Sequence, residues 1–202
     1  MSISIINVKP ANPEEWDLIW QGCDYSTYFH SREWAEIWAS YTKGKIHPDP
    51  LLLTFSDGRT ALLPLSSQRG RFGILKSYFS SPAGTYSGWI SEGDLYIDHA
   101  KLLLDFMTAN IGNLVWRLNP YDLLLHDLEI KNAIKDETHA IDLLPGFDYI
   151  YKKWTKGHAS AVSKARREGV IARIASTLDD WKAYYQVYEN SLQRWGEKAT
   201  YV

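Results

Sequence analysis

Residues 51–65 commit the chain to an antiparallel sheet. Leu51-Leu52-Leu53-Thr54-Phe55 and Thr60-Ala61-Leu62-Leu63-Pro64-Leu65 flank Ser56-Asp57-Gly58-Arg59. An Asp-Gly turn between two apolar runs is a strong short-range hairpin signal, because glycine supplies the positive φ that a tight turn requires. Pro64 has no N–H to donate, so the second strand must end, bulge or reach an edge there. Apolar runs this short cannot cross a bilayer. Met1 to Lys9 reads as a strand, without the basic region and apolar block of a secretory leader.

Helix signals surround the hairpin. Asn12-Pro13-Glu14-Glu15 offers an N-cap, a first-turn proline and two acids that suit the helix dipole, and Trp16, Ile19 and Trp20 then share one face. Ser31-Arg32-Glu33 opens a second helix carrying Trp34, Ile37, Trp38 and Tyr41 and ending near Gly44. Both Trp pairs read as helix-to-core packing. Ser66–Gly73 and Ser80–Gly88 read as loops on either side of the apolar piece Ile74 to Phe79. Residues 94–110 read as an amphipathic helix with Leu95, Leu102, Leu103 and Phe106 among its apolar positions.

Further strands are expected at Asn113–Leu118, Thr138–Leu143 and Val170–Ile174. Helical turns are expected around Leu123–Ile130 and Phe147–Trp154, a basic helix over about His158–Glu168, and a last helix from Leu178 to about Trp195. Interspersed strands and helices predict an α/β fold, with a mixed, largely antiparallel sheet layered with helices. With 202 residues, one large domain is expected.

Charge narrows the partners. Lys and Arg number 22 against 24 Asp and Glu, a net −2 that excludes a polycation gripping DNA or an anionic membrane. The single cysteine, Cys23, excludes an internal disulfide and a multi-cysteine metal site, and reads as a small buried hydrophobe. No His, Asp or Glu cluster has metal-ligand spacing, so no metal is expected. A reduced, cytoplasmic protein is the expectation.

The charge is nevertheless uneven. Phe147 to Ile174 holds seven basic residues against Asp148 and Glu168, a local +5 that leaves −7 for the rest of the chain. On the basic helix, Lys156, Ser160, Lys164 and Arg167 fall at i, i+4, i+8 and i+11, one continuous face. Ala159, Val162 and Ala165 make a narrow small-residue stripe on the opposing side. Gly157 and Ser160 near the helix start leave N–H groups accessible, where the dipole adds positive potential. His158 can join as a charged donor. A phosphate-bearing ligand fits this face, and a solvated basic surface is the alternative. Tyr86, on the glycine-containing loop, and Arg194, on the last helix, can line a cleft or serve packing alone. His30 reads as packing or capping near Ser31; His47, His99, His126 and His139 read as incidental.

The chain resembles the FemAB-like acyltransferases of the GNAT superfamily. Trp16…Phe29-His30-Ser31-Arg32-Glu33-Trp34 resembles the family's opening, and Ala61-Leu62-Leu63-Pro64-Leu65 the strand before its glycine-bearing loop. Ser80-Ser81-Pro82…Tyr86-Ser87-Gly88 is similar to that loop, and Lys164-Ala165-Arg166-Arg167-Glu168-Gly169-Val170 to a basic segment of the family. Tyr184-Tyr185-Gln186-Val187-Tyr188…Ser191…Arg194-Trp195-Gly196 resembles the helix that follows. Ser160-Ala161-Val162-Ser163 departs from the pattern where members often carry further basic residues. No segment convincingly matches the superfamily's acyl-CoA pyrophosphate loop, to which Gln68–Gly73 is only superficially similar.

The resemblance implies a GNAT-like fold and transfer of an acetyl or aminoacyl group to an amine. It implies acyl-CoA, or aminoacyl-tRNA, as donor substrate, and a small-molecule or glycopeptide acceptor bearing anionic groups. Residues 1–202 would be the N-terminal, acceptor-binding half, with the helix over about 178–196 leading to a second half that carries most of the transfer chemistry. No catalytic residue is assigned in this half. His158, Ser160, Lys164, Arg167, Tyr86 and Arg194 are the expected substrate-binding residues. Two other readings stay open: a peptidoglycan-bridge aminoacyltransferase, against which the modest charge argues, and a non-catalytic binding module.

Overall fold

The computed structural model describes residues 2–70 and 75–196. The chain divides into two compact units, Met1–Asn132 and Ala133–Val202. The fold is mixed α/β, with two mostly antiparallel sheets flanked by helices.

In the first unit the expected hairpin forms. Strands β3 (Leu51–Phe55) and β4 (Thr60–Leu63) run antiparallel with Leu52 opposite Leu62. Strand β1 (Ile5–Pro10) pairs antiparallel along the other edge of β3, with Val8 opposite Leu53. A second sheet holds β2 (Ile46–Pro48), β5 (Ser66–Arg69), β6 (Lys76–Phe79) and β7 (Leu114–Val115), in the order β2-β5-β6-β7. Only β6 and β7 run parallel. Pro64 lies where β4 ends and the chain passes to β5. Its missing N–H falls at the break between the sheets, so the single expected sheet comes as two.

Ser66–Arg69 corrects the loop expectation. Ser67 pairs with His47 on one side and Tyr78 on the other. Pairing on both sides overrides the weak strand propensity of Ser-Ser-Gln-Arg. Arg71, Phe72, Gly73 and Ile74, which complete that expected loop and begin the following apolar piece, lie outside the described residues. Beyond β7 the expected strand is irregular: Ser87 N–H donates to the Arg117 carbonyl, and Arg117 N–H donates to Ser80 Oγ rather than to a ladder.

Three helices cover the first sheet. Helix α1 (Pro13–Gly22) is closed by a reciprocal cap: Glu15 N–H donates to Asn12 Oδ1 at 2.8 Å, and Asn12 N–H donates to Glu15 Oε2 at 2.9 Å. In α2 (Arg32–Tyr41), Trp34 N–H donates to Ser31 Oγ at 3.1 Å. Helix α3 (Ile97–Asn110) begins later than expected because Tyr96 is its N-cap, its N–H donating to His99 Nδ1 at 3.1 Å. Successive side chains of the hairpin point to opposite faces. Leu53, Phe55 and Leu63 cluster with Leu103 and Met107 of α3, whereas Leu52 and Leu62 cluster with Trp16 and Ile19 of α1 and Ala35 of α2. Burial on both faces explains why residues 51–53 are uninterruptedly apolar. Cys23 is buried in the second cluster. Ile37 and Tyr41, expected on the packing face of α2, are exposed.

The second unit contains α4 (Phe147–Lys152), α5 (Lys156–Arg167) and α6 (Leu178–Trp195). The expected strands at 138–143 and 170–174 do not form, since neither segment has a ladder partner among the described residues. Alternation alone makes no strand without an edge to pair with. No described residue of this unit is buried.

Candidate functional site

Helix α5 presents the basic face that its spacing predicts. Lys156, Ser160, Lys164 and Arg167 are exposed, and the half-buried positions of α5 are Ala159, Val162 and Ala165. The helix therefore turns its small-residue stripe inward and its cations to solvent. Lys164 Nζ lies 3.7 Å from Glu168, an exposed i,i+4 pair worth only tenths of a kcal/mol. A ligand can draw Lys164 from it at little cost. Arg167 has no ion-pair partner among the described residues.

At the start of α5, Thr155 is the N-cap residue, yet its side chain caps no backbone N–H. Its Oγ1 lies 3.0 Å from His158 Nδ1 instead. The first-turn N–H groups are thus left without a side-chain cap, and three basic residues at the opposite end favour the dipole. Arg194 lies on α6, where its Nη2 donates to Ser191 Oγ at 3.2 Å. It is held along its own helix.

Tyr86 belongs to the first unit, in an aromatic chain that the sequence did not reveal. Its ring stands edge-on to Phe29 at 5.2 Å and to Tyr121 at 6.1 Å. Phe29 in turn packs edge-on to Trp34 at 5.4 Å, and Trp34 Nε1 donates to Ser81 Oγ at 3.1 Å. Burial first, then the neighbouring Tyr121, raises the Tyr86 phenol above its ordinary value, so it stays a protonated donor. The loop turns at Gly84, whose φ of +68° disfavours residues with a side chain. Ring contacts between residues 29, 86 and 121 join distant parts of the chain, which no local pattern encodes.

Two buried histidines have structural partners. Thr27 N–H donates to His30 Nδ1 at 3.1 Å, which places the ring proton on Nε2. Burial pushes His30 down to about 4, so it is neutral near pH 7. His99, expected to be incidental, closes a network instead. Its Nδ1 accepts from Tyr96, so its Nε2–H donates to Asp57 Oδ2 at 3.0 Å. Arg59 donates to the same carboxylate at 2.6 Å and to the Tyr96 hydroxyl at 3.2 Å. With both ring nitrogens engaged, His99 latches the hairpin turn to the start of α3 and has no free nitrogen to serve as a base.

Among the described residues, no group of three or more His, Cys, Asp or Glu side chains is placed to hold a metal ion. No described helix is long and apolar enough to cross a membrane. Comparison with family models, with curated proteins and with solved structures found no match to this chain. On α5 the donors fall in two groups: hydroxyl, imidazole and backbone donors near the N-terminus, and, roughly 10–15 Å further along the axis, a point charge from Lys164 and a fork from Arg167, so a ligand with more than one anionic group is what the row can span.

Proposed function

We propose that this chain is the acceptor-binding half of a cytoplasmic N-acyltransferase of the GNAT type, with the basic face of α5 as its anion anchor. In acyl transfer the acceptor amine attacks the acyl carbonyl, the donor thiolate leaves, and a base takes the amine proton. Holding the acceptor by an anionic group far from its amine supplies orientation, which can account for a large part of such a barrier. The observation that carries this reading is the exposed row of Lys156, Ser160, Lys164 and Arg167, opposite a half-buried stripe of small residues. His158 lies in the first turn of the same helix. In this reading Lys164 and Arg167 grip phosphate or carboxylate, and Ser160 and His158 add donors. Arg194, on α6 of the same unit, contributes a further cation.

The test is titration with a nucleotide-sugar and with coenzyme A, comparing the wild type with the Lys164→Ala/Arg167→Ala variant. Each lost charge-assisted contact should cost about 1.5–3 kcal/mol, so affinity should fall at least about a hundredfold. Its salt dependence should flatten as well. Equal affinities for the two proteins would refute the proposal.

A further inference from the structure

Helix α6 carries a second pattern that the anion site does not use. Leu178, Trp181, Tyr185, Tyr188, Leu192 and Trp195 recur at alternating intervals of three and four, the a/d spacing of a coiled-coil seam. Five of the six are 36–70% exposed, and Leu192 is half-buried. The stripe runs the whole length of the 18-residue helix, about 27 Å at 1.5 Å per residue. A sustained exposed stripe of this size marks an interaction surface.

We infer that the partner is a second copy of this chain, with the two α6 helices paired antiparallel about a twofold axis between Gln186 and Val187. The stripe is complementary to its own reverse. Antiparallel overlay sets Leu178 level with Trp195 of the other copy, Trp181 with Leu192, and Tyr185 with Tyr188. Every layer then pairs a leucine with a tryptophan or a tyrosine with a tyrosine, so no layer crowds two indoles. The flanking charges match in the same arrangement. Lys182 and Glu189 occupy the two e positions beside the seam, and the twofold brings each within reach of the other twice. The macrodipoles oppose one another.

The area is sufficient for a modest interface. Four aromatic side chains per copy bury roughly 150–250 Å² each when fully covered, and about half of that is exposed now. With the two leucines, closing the seam removes on the order of 1,000 Å² from two copies, near the lower bound for a specific interface. Self-association in the micromolar range is therefore expected.

Sedimentation velocity on the full chain from 1 to 100 μM tests this. The wild type should shift from monomer to dimer across that range. Lys182→Glu and Glu189→Lys each set like charges against one another twice and should weaken the dimer at least fivefold. Combining the two restores opposite charges and should return affinity to within about twofold of the wild type. Both positions are exposed, so these variants do not depend on refolding a core. A chain that stays monomeric at 100 μM overturns the inference and leaves the stripe to a different protein. A dimer indifferent to the single charge reversals also overturns it.

Discussion

Lowering the pH from 7 to 4 should destabilise the first unit through His30. The ring is fully buried, Nδ1 is occupied by the Thr27 N–H, and Nε2–H meets no hydrogen-bond partner among the described residues. A proton added at Nδ1 would break that bond and place a charge in the core. In the unfolded chain the ring takes a proton at its ordinary value of 6.5, whereas in the folded chain it does so at about 4. The unfolded state thus binds more protons between those values, and stability rises with pH across that window. The contribution is fully present above 6.5 and is lost as pH falls through about 4. At about 1.4 kcal/mol per pH unit, the gap amounts to about 3 kcal/mol. Urea unfolding followed by tryptophan fluorescence is the assay, since Trp16 Nε1 donates to the His30 carbonyl at 2.8 Å. The comparison is with His30→Asn, whose side-chain oxygen can still accept from Thr27 but cannot titrate. Between pH 6.5 and 4 the wild type should lose about 3 kcal/mol more than the variant. Parallel profiles would refute the assignment of His30 as a buried neutral ring.

Three shorter predictions follow from the same unit. Asn12→Ala removes the acceptor for Glu15 N–H and should cost about 1 kcal/mol in chemical unfolding. Ala83 sits at φ +59° in an exposed turn, so Ala83→Gly should raise stability by about 0.5–1 kcal/mol, and a loss would contradict the strain argument. Leu53 is fully buried between β3 and α3, so Leu53→Ala should cost about 2–5 kcal/mol.

What the sequence revealed was local. Asn12 and Ser31 mark helix starts through bonds spanning three residues, Pro13 through its fixed φ at the first helical position, and Asp57-Gly58 marks its own turn, so these elements appear where expected. Strand β5 stayed hidden because Ser66–Arg69 owes its state to β2 and β6, not to its own side chains. The converse error, at 138–143 and 170–174, has the same cause: an alternating pattern is necessary for a strand but does not supply its partner. The basic row on α5 was legible because the 3.6-residue period brings its members together within one helix. The surroundings of Tyr86 and the His99–Asp57 latch were not, since their partners are 35 to 57 residues away in the chain.

The most direct test of the anion anchor is to watch its atoms. Backbone and arginine side-chain amide resonances would be followed by NMR during titration with a nucleotide-sugar. The largest shifts should fall on Gly157–Ser160 and on the Nε–H of Arg167, should saturate together, and should shrink as salt rises. Shifts that cluster away from α5, or none at millimolar ligand, would contradict the assignment of this helix as the site that holds the acceptor.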